Sequence, residues 1–586
     1  MKNIDVRKTA FTTLLPLLIL LLLSAACTAA APTAAPAKPT EAPAEPTKAP
    51  AAAEATQAPA AVEATEAPAE ATEAPAAASG DEKTLIYVTP SLALTLDPCF
   101  LPGQQTAEII MNLYVPWTNY NQIDGPEGIK VDDTASGEAK MQPGVIESWE
   151  VSDDQLKWTL HIRKGVKDTF GNEVNAEFFQ WMWDRNRNAG GCTFIADAAN
   201  IKDAKTQIKI VDDYTAEVTL PAPNPLFLRA LNVNNGMPFG PEARKHATDA
   251  DPWALEWLKQ NAAAIGPYML EKWEPGVQMV LVRNPSYFGP QPDIGRIIYR
   301  QVPESANRLA LLLSGEAQIA RDLTQDELNQ LSGAARAQCI AANQFVYVAL
   351  NFAEGSPTAD PKVREALAYA VPYQEIIDSV YGGRAKPLYG MVTDSYANFL
   401  GADKFPYKTD LDKAKSLLGE SSQASGFDAT ILVDAGVPEH ERIAVLLKDS
   451  FSKIGVNLSI DKKPTSAHRD QAFGRSFGDM VLDQNYAFIL DANYHSLVWI
   501  INAPPPNFNY GNFVDKEFND IQARAVAEAD GPERAKDMQR LQEIVIEQLP
   551  WLSMANAPTC FGMAENVGGY VWHTHNQLIF SELTLK

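Results

Sequence analysis

The sequence predicts a mixed α/β or α+β fold that contains more than one sheet. Alternating apolar residues typical of strands and apolar residues at helical spacing follow one another from about residue 81 onward. Residues 430–460 give a strand, a helix and a strand in turn, with Gly455 ending the helix, which is the order of a β-α-β unit. Such alternation over roughly 500 residues is typical of a protein with several lobes.

Each element follows from a local pattern. The predicted strands and hairpins lie at 85–88, 149–166, 208–220, 268–283, 430–433, 456–460 and 480–482. The predicted helices lie at 174–188, 307–316, 361–370 and 439–453. The third hairpin contains the turn sequence Glu274-Pro275-Gly276, and one helix begins with Asp360 as its N-cap and Pro361 at its first position.

Residues 1–26 carry the three parts of a bacterial export signal. Basic residues precede an apolar run from Phe11 to Leu23, and small residues stand directly before Cys27. The apolar run is too short for a typical membrane span. A cysteine at the first mature position is what a bacterial lipoprotein needs, so we expect Cys27 to carry lipid and to anchor the chain outside the cytoplasm. The alternative is ordinary secretion with Cys27 unmodified, because Ser24 stands where lipoprotein signals more often carry leucine.

Residues 27–80 form a predicted disordered linker. They are almost entirely alanine, proline, threonine and glutamate, and they contain no aromatic residue. Such a composition buries too little apolar surface to offset the entropy lost on folding. Proline and like charges favour extension, so this linker would hold the globular part away from the membrane.

Charge and cysteine content narrow the class of protein further. The net charge of −24 disfavours nucleic acid as a partner, and we expect a monomer without a cofactor. The chain contains no HExxH, GxGxxG or glycine-rich phosphate loop, and we expect no enzymatic activity. Apart from Cys27, the cysteines are Cys99, Cys192, Cys339 and Cys560. They allow three pairings, and we expect one or two structural disulfides without a basis for choosing among them.

Two short motifs suggest chemistry but lack its usual context. Residues 474–478 fit the G-x-S-x-G pattern, so a serine hydrolase using Ser476 is an alternative function. That chemistry needs an apolar strand before the serine and a helix after it, whereas here the preceding residues are polar and a strand follows. His573 and His575 would share one face of a strand, but without further ligands we expect no metal there.

Four segments carry a resemblance to a known family. They are ESWEVSDDQLKWTLHIRKGVK at 147–167, IGPYMLEKWEPGVQMVLVRNPSYFG at 265–289, RLALLLSGEAQI at 308–319 and PKVREALAYAVPYQEIIDSVYGGRAKP at 361–387. In this order and spacing they resemble the bacterial extracellular solute-binding proteins of family 5, which are the oligopeptide, dipeptide and nickel receptors of ABC importers. The resemblance covers nearly all of the globular part.

The resemblance implies a periplasmic-binding-protein-like fold. Two lobes would close on a ligand, with an extra subdomain in the first lobe and a hinge of crossing strands between the lobes. By this analogy the first lobe covers 81–340, the second covers 341–549, and 550–586 return to the first. The implied function is capture of an oligopeptide or other small molecule and its delivery to ABC permease subunits in the membrane. A sensor or chaperone on the same fold, without transport, is a further alternative.

Residues 486–513 are the predicted ligand-binding region, since aromatic residues, amides and prolines crowd there without clear periodicity. Peptide-binding members of the family carry W-x-x-D-Y-x-D-P here, and its first aspartate pairs with the peptide amino terminus. One alignment places Asp491 on that aspartate, and an equally good one places it on the later D-P aspartate, which leaves the amine-binding position without an acid. The candidate ligand contacts are Asp491, Tyr494, Trp499, Phe508, Tyr510 and, on the first lobe, Tyr114 and Trp117.

Overall fold

The structure is a computed structural model that describes residues 82–101, 103–134, 141–501 and 508–586. The predicted export signal, Cys27 and the predicted linker lie outside these residues. Among the described residues the predicted mixture of strands and helices is confirmed.

The strands are spread over the whole described chain. They are β1 (Thr84–Thr89), β2 (Thr118–Tyr120), β3 (Gln122–Asp124), β4 (Lys130–Asp132), β5 (Met141–Pro143), β6 (Ile146–Val151), β7 (Lys157–Ile162), β8 (Ile208–Asp212), β9 (Thr215–Thr219), β10 (Tyr268–Glu274), β11 (Gln278–Arg283), β12 (Arg296–Gln301), β13 (Ile319–Arg321), β14 (Ala335–Leu350), β15 (Lys386–Pro387), β16 (Phe427–Asp434), β17 (Val456–Lys463), β18 (Met480–Tyr486), β19 (Trp551–Ala564), β20 (Val567–Gly568), β21 (Val571–Trp572) and β22 (Thr584–Leu585).

The helices alternate with them. They are α1 (Gln104–Leu113), α2 (Ala176–Asn188), α3 (Thr193–Ala198), α4 (Ala204–Gln207), α5 (Phe227–Ala230), α6 (Leu255–Leu258), α7 (Ser305–Leu313), α8 (Gln325–Leu328), α9 (Pro361–Ala370), α10 (Tyr373–Glu375), α11 (Leu411–Gly419), α12 (Pro438–Ser452), α13 (Thr465–Phe473), α14 (Ala492–His495), α15 (Lys516–Ala525) and α16 (Pro532–Gln548). Two π-helical turns, Ile376–Val380 and Ser496–Ile500, continue α10 and α14.

Local capping and turn signals account for several of these boundaries. The Asn175 side chain accepts from the backbone N–H of Phe178 at the start of α2, and Asp360 accepts from Lys362 N at the start of α9. The β-α-β unit is β16, α12 and β17, whose two strands pair in parallel as predicted. Gly455, at φ 93°, follows α12 in the left-handed region where a side chain would be strained.

One large sheet runs through the molecule in the order β10-β11-β12-β1-β13-β19-β14-β18-β16-β17, with β15 pairing against β19. Its two central strands, β14 and β19, are long and antiparallel. On one side β19 pairs with β13 of the first lobe, and on the other β14 pairs with β18 of the second. The sheet therefore crosses between the lobes through these strands, and the predicted lobe boundary at residue 340, which stays a prediction, falls inside β14.

The ladder between the crossing strands is interrupted at two points, and one of them lies between Val346 and Tyr347. Between Ala341 and Gln344 the register shifts, so that the two intervening residues have no partner in β19. The side chain of one of them, Asn343, donates to the carbonyl oxygens of Ala487 and Thr574. A bulge bends its strand and increases its twist, and this one lies where the sheet passes between the lobes.

The extra subdomain is a separate sheet in the first lobe. Its order is β6-β7-β9-β8, so the two predicted hairpins at 149–166 and 208–220 pair with each other. Helix α2 packs on this sheet. Four large residues of α2, namely Phe178, Phe179, Met182 and Trp183, are buried, which is the apolar face that its helical spacing indicates.

In the structure the four cysteines form two disulfide bonds, which is one of the three possible pairings. Cys99 bonds to Cys192 in the first lobe, and Cys339 bonds to Cys560. The second bridge joins residues that lie directly opposite each other on β14 and β19. It therefore fixes the register of the two crossing strands covalently.

We predict that the chain carries no free thiol among these cysteines. Thiol titration of a denatured, unreduced Cys27→Ala chain should detect none, and removing either bridge by a double Cys→Ala substitution should lower the free energy of unfolding by about 2–4 kcal/mol, since the unfolded chain gains entropy. Denaturant titration measures the second quantity. Two or four reactive thiols in the unreduced chain would contradict this pairing.

Candidate functional site

A cavity of about 630 Å³ lies where β18 leaves the central sheet. Its wall is formed by side chains of β18, of the segment that follows it, and of helices α12 and α13, and Leu101 and Phe194 of the predicted first lobe also line it. Eight aromatic residues line it, and we call it the aromatic cavity: Phe194, Phe473, Tyr486, Phe488, Tyr494, Trp499, Phe508 and Tyr510. Its volume is in the range of small-molecule sites.

The aromatic rings hold one another in place. The ring of Phe508 lies 5.0 Å from Phe473 and 5.7 Å from Trp499, and Trp499 meets Phe345 edge to face at 5.2 Å. Tilted and edge-to-face contacts at these distances are favourable for aromatic pairs. The wall is therefore a packed aromatic surface supported by the sheet, since Phe345 belongs to β14.

Four of the residues predicted from sequence come together here. Tyr494, Trp499, Phe508 and Tyr510 all line the aromatic cavity, although they come from a helix, a π-helical turn and a later loop. The other two aromatic candidates lie elsewhere. Trp117 packs edge to face on Phe179 in the first-lobe core, and Tyr114 lines a separate cavity of about 320 Å³ in that lobe.

Asp491 lies behind the wall and is only 2% exposed. Both its oxygens bind Arg534, with Nη1–Oδ2 and Nη2–Oδ1 distances of 2.9 Å each. Arg229 of the first lobe adds a third contact at 3.2 Å. The same carboxylate caps α14 by accepting from the backbone N–H groups of Asn493 and Tyr494. The acceptor positions that a ligand ammonium would need are thus occupied by the protein.

The environment of Asp491 keeps it ionised. Burial alone would raise the pKa of this carboxyl, but the charges of Arg534 and Arg229 and the hydrogen bonds outweigh burial and hold the pKa below its ordinary value. Its position favours the second sequence alignment, in which Phe488 takes the amine-binding position. Phe488 does line the aromatic cavity.

Asp483 is one of two acidic side chains on the cavity wall, the other being Asp434, and sequence reasoning did not select it as a ligand contact. Its Oδ2 accepts from Tyr510 Oη at 2.9 Å, from Asn485 Nδ2 at 2.8 Å and from Tyr347 Oη at 3.4 Å. Burial raises the pKa of Asp483 above its ordinary value. The signal available in the sequence was a polar residue directly after the apolar run 480–482, at the end of a strand.

Two further polar groups of the wall have no hydrogen-bond partner among the described residues. His440 of α12 is 1% exposed, and both of its ring nitrogens are unpaired, as is Nε1 of Trp499. Burial lowers the pKa of His440 to about 4, so its ring is neutral at physiological pH. Buried polar groups are normally hydrogen-bonded, so these atoms are exceptions, but less than 1 Å² of each is exposed and a ligand could reach them only after the wall rearranges.

The two weak sequence motifs do not form reactive sites. Ser476 lies between α13 and β18, so a helix precedes it and a strand follows, which is the reverse of a nucleophile elbow. His573 is held by Asp132 at 3.0 Å and Glu582 at 2.7 Å, one on each ring nitrogen. Burial would lower the pKa of His573, but the two carboxylates raise it well above its ordinary value.

Residues 82–586, apart from the short undescribed segments, contain no group of three or more His, Cys, Asp or Glu side chains placed to hold a metal ion. Within those limits no helix has the length and apolar character needed to cross a membrane.

Comparison with known proteins identifies the family. Residues 140–519 match the bacterial extracellular solute-binding proteins, family 5 (middle part), and because this is more than half of the chain, the chain belongs to that family. It is therefore a solute-binding protein, and members of its family are binding proteins of the periplasm or cell exterior.

Individual relatives match this chain over most of their own length. The probable D,D-dipeptide-binding periplasmic protein of Escherichia coli K12 is 26% identical over 78% of this chain and 86% of its own. The heme-binding protein A of Haemophilus influenzae is 26% identical over 84% and 91%. The solved dipeptide-binding protein of Pseudoalteromonas sp. SM9913 in complex with Met-Leu has a TM-score of 0.70 at 20% identity, covering 86% of this chain and all of the other, and shows the shared fold.

We predict that Asp491→Asn destabilises the fold instead of only weakening ligand binding. At pH 7 it should lower the free energy of unfolding by about 3–5 kcal/mol, because it leaves two buried arginines without their carboxylate. The folded pKa of Asp491 lies below the unfolded value near 4, so this contribution is present above about pH 4 and is lost as pH falls through the folded pKa. Urea unfolding measures the free energy of unfolding of both chains at neutral and acidic pH. The gap between Asp491→Asn and the unmodified chain should be smaller in acid.

Asp520→Asn is the matched control, since Asp520 is exposed on α15 and pairs only with Lys516. It should change stability by less than about 0.5 kcal/mol. If Asp491→Asn matched this control in stability, the structural assignment of Asp491 would be wrong.

Proposed function

We propose that the chain is the substrate-binding receptor of an ABC importer and that it holds its ligand in the aromatic cavity. The observation that carries this proposal is the make-up of the wall: residues of the predicted second lobe supply most of it, and Leu101 and Phe194 of the predicted first lobe supply the rest. A ligand in this position contacts both lobes at once. Binding therefore favours the closed arrangement over any open one.

Tyr494, Trp499, Phe508 and Tyr510 are the proposed ligand contacts, with Asp483 added from the structure. Aromatic faces present large apolar areas at low entropic cost and retain polar edges for hydrogen bonds. We assign Asp491 to the support of this wall, because Arg534 and Arg229 occupy its carboxylate. Tyr114 is left outside the contact set, since it lines the separate first-lobe cavity.

The ligand is a peptide-like or other small solute. Relatives are named for binding D,D-dipeptides, dipeptides, glutathione and heme, which are all small solutes. We propose that the chain performs no catalysis, acts as a monomer, and delivers its ligand to permease subunits. The helix-turn-strand context of Ser476 supports the absence of hydrolase activity.

We propose further that Cys27 carries lipid and tethers the receptor outside the cytoplasm. The sequence support is the basic start, the short apolar run and the small residues before this cysteine. Acyl chains on Cys27 would attach the chain firmly to the membrane. The Ala/Pro/Thr/Glu segment that follows would hold the globular part at a distance from the membrane surface.

The ligand proposal is tested by a thermal-shift screen of the purified chain against peptides, oligosaccharides, organic amines and divalent metals. A ligand at a hundred times its dissociation constant should add about 2.7 kcal/mol of stability. For the compound that stabilises most, Trp499→Ala should weaken binding about tenfold to a hundredfold, because one large aromatic contact is lost.

Phe170→Ala is the control, since Phe170 is an exposed first-lobe aromatic that lies against Trp257 and not in the cavity. Its affinity for the same compound should equal that of the unmodified chain. Equal affinity of Trp499→Ala and the unmodified chain would refute the proposed location of the site.

The lipid proposal predicts that Cys27→Ala abolishes attachment. Cells fed an alkyne-tagged fatty acid should label the unmodified chain and not the variant, and the variant should move from the membrane fraction to the soluble fraction. A double Cys99→Ala/Cys192→Ala chain should still be labelled. Labelling of the Cys27→Ala chain would contradict the assignment.

A further inference from the structure

We propose that the aromatic cavity selects a ligand with a positive charge beside an apolar body, and that Asp483 is the residue that recognises this charge. This inference rests on the proposed function, because it names the class of solute that the receptor takes. It depends on the partners of Asp483, on the other charges of the wall and on the aromatic rings around it.

The partners of Asp483 are all neutral. Tyr510, Asn485 and Tyr347 donate to Oδ2, and the backbone N–H of Gln484 donates to Oδ1 at 2.9 Å. Across the described residues no Lys, Arg or His forms an ion pair with this carboxylate, whereas Asn and Tyr side chains hold it in a fixed direction. The donors therefore orient the charge without neutralising it.

Some buried carboxylates in this protein have a cation, and others are held by neutral donors alone. Asp97 pairs with Arg185, Glu108 pairs with Arg321 at 2.7 Å, and Asp491 pairs with Arg534 at 2.9 Å. A carboxylate withdrawn from water is normally paired in this way, because an uncompensated charge is costly. Among the residues that the structure describes, Asp168 and Asp434 are buried without an ion pair and accept only from neutral donors. Asp483 shares this arrangement, but it is only half-buried and lies on the cavity wall, where an incoming ligand can supply the cation.

The remaining charges of the wall do not supply it. Arg469 is exposed at the edge of the cavity and makes no ion pair with Asp483, and Asp434 adds a second negative charge. His440 is neutral. His468, whose Nε2 lies 3.1 Å from the carbonyl oxygen of Leu482, makes no ion pair with Asp483, although a positive charge on its ring would lower the pKa of that carboxyl. Inside the cavity the balance of fixed charge is negative, which favours a cation over an anion.

The aromatic rings suit a cation that carries an apolar body. Tyr510, which donates to Asp483, lies 6.0 Å from Phe508, and Phe508 lies 5.7 Å from Trp499. A positive group at Asp483 would therefore lie beside ring faces that attract cations, and its apolar part would lie on Phe508 and Trp499.

Three indole probes of similar shape and different charge test this inference. Tryptamine is cationic, tryptophol is neutral and indole-3-propionate is anionic, and calorimetry on the purified full chain gives each dissociation constant. Tryptamine should bind at least about tenfold more tightly than the other two, since a charge-assisted hydrogen bond to a carboxylate gives about that preference. Equal binding of the three, tighter binding of the neutral or anionic probe, or no binding of tryptamine up to its solubility limit would overturn the proposal.

Variants assign the preference to one residue. Asp483→Asn should lose the preference for tryptamine while binding tryptophol within about twofold of the unmodified chain. Asp483→Glu, which keeps the charge, should retain the preference and guards against a folding defect. Asp520→Asn is the matched control and should leave the preference for tryptamine unchanged, because Asp520 is exposed on α15, pairs with Lys516 and does not line the cavity.

Two failures remain distinguishable. If Asp483→Asn kept the preference for tryptamine, Asp483 would not be the recognising residue, although the receptor function would stand. If uncharged or anionic compounds stabilised the chain through Trp499, the receptor function would again stand and the charge selection would be refuted. The proposed location of the ligand in the aromatic cavity fails if Trp499→Ala leaves the binding of every compound unchanged, and the receptor function fails if no compound in the screen binds the chain.

Discussion

The pairing of β14 with β19 is the constraint on which the rest of the structure depends. These two strands carry the main sheet from one lobe into the other, so the lobes share a single hydrogen-bonded ladder and not a flexible loop. The Cys339–Cys560 bridge and the bulge at Asn343 lie on this ladder. The bulge bends the crossing strands, and the disulfide fixes their register. The angle between the lobes can therefore change while the order of the strands stays the same. The aromatic cavity lies beside this crossing, on the strand that pairs with β14.

Two aspartates, Asp483 and Asp491, lie close in sequence and show how environment sets the role of a carboxylate. Asp491 is enclosed by two arginines and caps a helix, so its charge is used within the fold. Asp483 is held by hydroxyl and amide donors that leave its charge unbalanced on a cavity wall. Burial alone would raise the pKa of both carboxyls. The arginines beside Asp491 lower its pKa below the ordinary value, whereas the pKa of Asp483, which has no arginine partner, is raised.

Local chemistry in the sequence was enough for most elements and for the family. The caps at Asn175 and Asp360, the turn sequences and the β-α-β unit depend on neighbours in the chain, and these predictions are confirmed. The long-range features were beyond the sequence because they depend on residues far apart: Arg229 reaches Asp491 across 262 positions, and the cysteine pairing needed the register of β14 and β19. Asp483 escaped notice because its role comes from Tyr347 and Tyr510, which are distant in the chain.

A crystal structure of the chain with its most stabilising compound tests the central claim most directly. The account predicts ligand density enclosed between the lobes, in van der Waals contact with Trp499 and Tyr510 and within hydrogen-bond distance of Asp483. The unpaired ring nitrogens of His440 should then have a partner in the ligand or in an ordered water beside it. Density in the separate first-lobe cavity beside Tyr114, with the aromatic cavity empty, would contradict the account.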